Sequence, residues 1–329
     1  MASKHLVLHC NSGGAYGMGH LMRCLALAEE TLARGWTVTL GGDIDEAGER
    51  LFVLAGGDAP VRVPSDETGA WLYETVRDTA AGIIHLDSYL LDDEEIPRGG
   101  WLVSNMQDGP FGARHADLAI DPNHGAELEP RGSVGSDRLL LGSRYCPIRR
   151  QVRRQIGQPR CTSEALRVLV VVGGTDPMAL GPAVATRLAE ADPGIVVTLV
   201  SPYHDAPGVR PPNLTVLPFV DDLPALAYRN DAVVSAAGTS TWDFMCLGLP
   251  LALLCVVDNQ VVAYRRLVEA GLVIGLGEPA HTDLDERLSQ FVTLLRQPAA
   301  LRGLAARGQT VIDGLGAGRI ADAWTRLRP

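Results

Sequence analysis

Leu6-Val7-Leu8-His9-Cys10 is a short continuous apolar run, and Ser12-Gly13-Gly14-Ala15-Tyr16-Gly17-Met18-Gly19-His20 follows it. The run reads as a buried strand. Beyond the loop, Leu21, Cys24, Leu25, Leu27, Ala28 and Leu32 recur at helical spacing, so an amphipathic helix is expected from about residue 20 to 34. A strand, a glycine-rich loop and a helix in that order are the start of an α/β unit. Ligands bind at the carboxyl ends of the strands in open α/β sheets. His20 therefore falls at the first turn of a helix, where a ligand is expected. Imidazole titrates near neutrality and suits work as a general base.

Outward from this stretch, strand and helix signals alternate along the chain. Strands are expected near 5–10, 36–41, 83–87, 101–104 and 117–120, with helices near 20–34, 45–55 and 68–80. A basic stretch, Arg149 to Arg154, reads as a solvated helix face. The polar, breaker-rich segment Gly157-Gln158-Pro159-Arg160-Cys161-Thr162-Ser163 reads as a linker. A second alternation starts at Leu166, with strands near 195–200, 214–217, 232–235 and 251–256. Alternation of this kind predicts parallel sheets with crossover helices. The expected fold class is α/β, with domains at 1–156 and 165–329 and a ligand cleft between them. The last helix, near 318–327, has no assigned partner.

The bulk numbers narrow the function. The 329 residues suffice for two domains, and 46% hydrophobic with 21% charged residues marks a globular chain. A formal net charge of -10 argues against nucleic acid as partner. The six cysteines include no Cys-x-x-Cys pair or finger spacing, and they read as small buried hydrophobes. The apolar stretches are too short to span a membrane, and the N-terminus lacks a signal-peptide pattern. A cytoplasmic location is the expectation.

Several loops compete for chemistry. Gly17-Met18-Gly19 starts like a dinucleotide fingerprint, but Met22 occupies the third glycine position. The glycines then serve to let the backbone approach a ligand beside His20. Ser235-Ala236-Ala237-Gly238-Thr239-Ser240-Thr241-Trp242-Asp243 follows a strand and opens a helix. Its amides and hydroxyls suit a diphosphate, though Thr239 or Ser240 also reads as a plain N-cap. It lacks the closing glycine of a nucleophile elbow. Gly173-Gly174-Thr175-Asp176 and Asp258-Asn259-Gln260 each follow a strand, and both also read as ordinary turns. Asp92-Asp93-Glu94-Glu95 reads as a solvated loop, and no residue set has metal-ligand spacing.

Five of these segments, in order, resemble one family. They are Gly17 to Leu25, Gly142 to Arg149, Gly173 to Asp176, Thr241 to Pro250, and Asp258 to Gln260. The family is the UDP-2,4-diacetamido-2,4,6-trideoxy-β-L-altropyranose hydrolases of pseudaminic acid synthesis. Its motifs are shared with spore coat polysaccharide glycosyltransferases and, more widely, with GT-B transferases such as the one that makes lipid II. The resemblance implies a GT-B fold of two Rossmann-like domains and no cofactor. It implies that His20 activates the attacking water or hydroxyl, with Gly17, Gly19, Tyr89 and Asp108 as substrate-binding residues on the same side. It implies nucleotide binding by Gly173, Gly174, Thr175, Phe219, Val220 and Ala237 to Thr241, with Asp243 at the ribose. Asn259 and Gln260 would reach the sugar.

Two positions depart from the family. Asp243 stands where a glutamate is usual, and Gln107-Asp108 where Asp-Asp is common. The expected activity is an inverting, metal-independent UDP-sugar hydrolase. The alternative is an inverting glycosyltransferase with a small-molecule acceptor. A non-catalytic nucleotide-sugar binding protein and an NAD-dependent enzyme are the competing classes; His20 argues against the first and Met22 against the second.

Overall fold

The computed structural model describes residues 4–14, 16–128, 136–159, 165–174, 176, 178–202, 210–278 and 283–327. Contacts divide the chain into two compact units. The first is Met1–Arg150 with Gly314–Pro329, and the second is Gln151–Asp313. A division in sequence order keeps 165–329 together. The structure instead returns the C-terminal segment to the first unit.

The first unit runs β1 (His5–Cys10), α1 (Gly19–Ala33), β2 (Thr37–Gly42), α2 (Glu46–Leu54), β3 (Val61–Arg62), α3 (Thr68–Thr79), β4 (Ile83–Asp87), β5 (Leu102–Met106), β6 (Leu118–Asp121) and β7 (Leu139–Leu141). The short α4 (Arg150–Arg153) follows. The strands form one parallel sheet in the order β3-β2-β1-β4-β5-β6-β7. The chain thus starts in the middle, winds out one way, and resumes on the other side of β1. The switch point lies between β1 and β4, where such sheets bind ligands.

Side-chain alternation explains why β1 reads as continuously apolar. Leu6, Leu8 and Cys10 face the cluster that holds α1 and residues 317–324. Val7 faces the opposite cluster with Leu72 and Val76 of α3. A strand covered on both faces has no polar side to show.

The second unit runs β8 (Leu166–Val171), α5 (Leu180–Ala191), β9 (Ile195–Val200), β10 (Leu214–Leu217), α6 (Leu223–Tyr228), β11 (Ala232–Ala236), α7 (Ser240–Cys246), β12 (Leu251–Leu254), α8 (Val261–Glu269), β13 (Ile274–Gly277), α9 (Leu284–Leu295) and α10 (Pro298–Val311). Its parallel sheet repeats the plan, in the order β10-β9-β8-β11-β12-β13. The switch point here lies between β8 and β11. Val168, Val170, Val184, Leu188, Leu288 and Phe291 build the core on one face.

The last helix, α11 (Gly316–Leu327), belongs to the first unit. Ile320, Ala321 and Trp324 pack into the α1 cluster. Trp324 Nε1 donates to Ser104 Oγ at 2.9 Å, and its ring lies 5.3 Å from that of His85. A methyl group on Gly316 would meet Cys146 O at 2.0 Å, so only glycine fits this entry to the helix.

The basic stretch differs from the solvated face expected of it. Arg149 is buried, and Arg150 donates from its backbone N and its Nη2 to Glu29. Asp92 and Glu95 form a reciprocal capping box on an exposed turn. Among the described residues, no group of three or more His, Cys, Asp and Glu is placed to hold a metal ion.

Candidate active site

The site begins with register. Cys10, the last residue of β1, pairs with Asp87, the last residue of β4. Asp87 therefore ends its strand beside the loop that leads to His20. Gly13 and Gly17, both at positive φ, close that loop through Gly13 N to Gly17 O at 2.9 Å and Gly17 N to Gly13 O at 3.2 Å. Gly19 and His20 are the first two residues of α1. Arg23 lies three residues on, so it shares the His20 face of the helix.

Nδ1 of His20 lies 2.7 Å from Asp87 Oδ1. Arg23 Nε donates to Asp87 Oδ2 at 2.7 Å and Arg23 Nη2 to Oδ1 at 2.6 Å. Nη2 is also 2.9 Å from His20 Nδ1. A guanidinium nitrogen only donates, and an ionised carboxylate only accepts. Arg23 Nη2 already directs a proton to Asp87 Oδ1, and an Nδ1 lone pair would face that anionic oxygen at 2.7 Å, so the proton is assigned to His20 Nδ1, directed at Asp87. This tautomer leaves Nε2 with its lone pair. The ring meets Tyr89 edge-on, with centroids 4.5 Å apart.

The second carboxylate is Asp108. It accepts from Arg23 Nη1 at 2.9 Å and 2.8 Å, from Asn123 Nδ2 at 2.9 Å, and from the Tyr89 hydroxyl through a short hydrogen bond. Reciprocal backbone bonds with Phe111, 3.0 and 3.1 Å, close the turn that carries it. Asn123 is held in turn by Asp121 Oδ1 at 3.0 Å.

The charge states follow from these contacts. Burial alone would raise the Asp87 carboxyl, but Arg23, then His20, together with their hydrogen bonds, hold it far below the usual carboxylate range. Burial likewise opposes ionisation of Asp108. Arg23 and the Tyr89 hydrogen bond outweigh it and keep that carboxyl low. Burial disfavours the Arg23 cation, but Asp108 and Asp87 keep it charged. Burial and the Asp108 charge push the Tyr89 phenol well up, so it stays protonated as the donor. The His20 side chain is 12% exposed and that of Asp87 is fully buried. The arrangement presents one imidazole nitrogen and withholds the carboxylate behind it.

In the second unit, the predicted residues also gather at strand ends. Gly173, at positive φ, and Gly174 follow β8, and Ala237 and Gly238 follow β11 across the switch point. Gln260 follows β12; its Oε1 accepts from Val256 N at 3.0 Å. A Cβ added to Gly238 would lie 3.6 Å from Gln260 Nε2. Those two loops therefore meet. Thr239 to Thr241 enter α7, whose first turn also holds Asp243. Thr241 turns inward, its Oγ1 donating to Ala236 O at 3.3 Å. Phe219 and Val220 follow β10, with Phe219 half exposed. Asn259 lies beside Gln260 in the turn before α8. Asp176 accepts from Leu180 N and Gly181 N at 2.9 and 2.8 Å and so caps α5. Thr175 lies outside the described residues.

Sequence reading named His20, Tyr89 and Asp108 but gave no role to Asp87, Arg23 or Asn123. Asp87 closes an apolar strand, and a carboxylate at a strand end is a legible signal. Its pairing with His20 is not, because that needs the β1–β4 register.

No protein-family model matches the chain. Two curated relatives match over most of their length. A UDP-N-acetylglucosamine–N-acetylmuramyl-(pentapeptide) pyrophosphoryl-undecaprenol N-acetylglucosamine transferase of Shewanella amazonensis is 30% identical over 338 residues, covering 90% of this chain and 91% of that protein. The chain belongs to the GT-B glycosyltransferase-like family. The spore coat polysaccharide biosynthesis protein SpsG of Bacillus subtilis is 23% identical over 337 residues, covering 96% of each chain. Among solved structures, the glycotransferase of kitacinnamycin superposes with a TM-score of 0.71 at 16% identity, over 99% of both chains. That likeness bears on the fold alone, which is GT-B. The chain is an enzyme of this family, and no helix among the described residues is long and apolar enough to cross a membrane.

Proposed function

We infer that this GT-B enzyme transfers a sugar from a nucleotide diphosphate to an acceptor hydroxyl or amine, with inversion at the anomeric carbon. The observation that carries the reading is the 2.7 Å contact between His20 Nδ1 and Asp87 Oδ1, which favours the tautomer with the lone pair on Nε2. His20 would take the acceptor's proton as its oxygen or nitrogen attacks the anomeric carbon. The bond from that carbon to the diphosphate breaks, and its electron pair leaves with the nucleotide. Asp87 would stabilise the imidazolium formed in the same step, without taking the proton itself. Catalysis of this kind rests on positioning and electrostatics rather than on a covalent intermediate.

The loops after β8, β10 and β11 are assigned to the nucleotide. Gly173, Gly174 and the Ala237–Thr241 turn would meet the diphosphate, with Thr175 as a further contact. The half-exposed Phe219, with Val220, would meet the base, and Asp243 the ribose. Asn259 and Gln260 would meet the sugar. Gly17 and Gly19 would let substrate approach His20. UDP is the expected nucleotide, and the Shewanella relative, a UDP-N-acetylglucosamine transferase by name, supports a UDP-sugar donor.

Hydrolysis is the reaction to which the sequence motifs lean. It uses the same base with water as acceptor. The curated relative with a stated reaction is a transferase, and this favours transfer over hydrolysis. The discriminating experiment incubates the pure protein with UDP-, dTDP-, GDP- and CMP-sugars, with and without a panel of alcohols and amines. Release of nucleotide diphosphate that depends on an acceptor is the expected result. Release at full rate with water alone, with free sugar as product, would make it a hydrolase.

A further inference from the structure

Charge balance around His20 extends beyond Asp87. Arg23 lies as close to the imidazole as a hydrogen-bond partner does, 2.9 Å from Nδ1. Protonation of His20 at Nε2 would place a second cation against it. Asp87 alone would then face two cations, because it binds both. Asp108 grips the remaining guanidinium nitrogen through both of its oxygens. With Asp108 included, the group holds two carboxylates against Arg23 and the imidazolium, and it is neutral at the moment the proton arrives.

The other groups facing this site leave the balance intact. His9 on β1 and His85 on β4 are kept neutral by burial, each lowered to about 4. Tyr89 is a neutral donor. Arg114 and Asp121 add one charge of each sign. Arg114 is held by Asn105 Oδ1 and Ser88 O, and Asp121 by Gly109 N and Asn123.

We propose that Asp108 is a positioning residue that sets the basicity of His20 from behind Arg23, rather than a group that binds substrate. Its oxygens are already occupied by Arg23, Tyr89 and Asn123, which leaves it poorly placed to take a sugar hydroxyl. The proposal rests on His20 as the base, but its test reads His20 without turnover.

The experiment is titration of the His20 imidazole by NMR in the full-length protein, with His20→Gln identifying the signal. Asp108→Asn keeps the shape and removes the charge. The expected result is a fall of about tenfold in the proton affinity of His20, roughly one pH unit. Tyr89→Phe removes a hydrogen bond to the same carboxylate but no charge, and should move the titration by much less. An unchanged His20 titration in folded Asp108→Asn would overturn the proposal. Equal shifts in both variants would assign Asp108 a packing role and overturn it as well. Should Asp108→Asn fail to fold, Arg23→Gln replaces it. Removing that cation should raise the His20 proton affinity, and a fall would contradict the charge count. A confirmed shift in a protein that transfers no sugar would refute the functional reading and spare this one.

Discussion

His20 is held from behind by a buried carboxylate, Asp87, at 2.7 Å. Asp87 is buried and held ionised, and its contact favours the tautomer with the proton on Nδ1. Asp87→Asn fills the same space but removes a charge that Arg23 Nε and Nη2 grip, so some stability is lost and the kinetics are read on the folded variant. Its NH2 can turn toward Nδ1, reversing the tautomer and pointing N–H outward at Nε2. Turnover should fall about 10²–10⁴-fold, the range general-base catalysis supplies, with nucleotide affinity unchanged. Steady-state kinetics beside a calorimetric nucleotide titration checks this. A loss confined to KM would reassign Asp87 to binding. The place of His20 in the first turn of α1 was legible in the sequence because a glycine-rich loop precedes it. The partners of His20 were not. Arg23 reads as one of several polar positions in an amphipathic helix pattern, and only the fold turns it toward two carboxylates.

At the level of elements, most strands and the helices of the first unit were legible, whereas α5, α8, α9 and α10 of the second unit were not read. β1, β4 and α1 fall where the apolar patterns put them, within a residue or two at either end. β3 has two residues and β7 three, too few to show a period against loop sequence. β13, with four, was missed as well; its two glycines, not its length, set it apart from β6, β10 and β12. The C-terminal helix is a different case. Its amphipathic pattern predicts a helix but not which core it joins, because several apolar faces compete and contact is set by topology. In the structure Trp324 is fully buried among α1 and β-strand residues. Trp324→Ala should destabilise the first unit by about 3–5 kcal/mol. Urea unfolding followed by a probe in each unit checks it. A midpoint that moves only for the second unit would place α11 elsewhere.

For the whole molecule, buried histidines predict how stability changes with pH. Burial lowers His9 and His85 to about 4, against an ordinary value of 6.5. Between these values the unfolded chain takes up protons that the folded chain refuses. Stability is therefore greatest above about 6.5 and falls as pH drops toward 4, by about 1.4 kcal/mol per pH unit for each histidine at most. Asp87 and Asp108, held low in the fold, extend the loss below the ordinary carboxylate range. Thermal midpoints at pH 7.5, 6 and 5 should decrease in that order, and equal midpoints would contradict the assignment. Each of the two sheets has its own switch point, and the proposed reading puts the base at the first and the nucleotide at the second. Base chemistry is the central claim, and His20→Ala tests it most directly. With the donor and acceptor found by the panel assay, the folded variant should bind nucleotide normally and lose at least about 100-fold in turnover. Turnover at the wild-type rate would show that His20 is not the base.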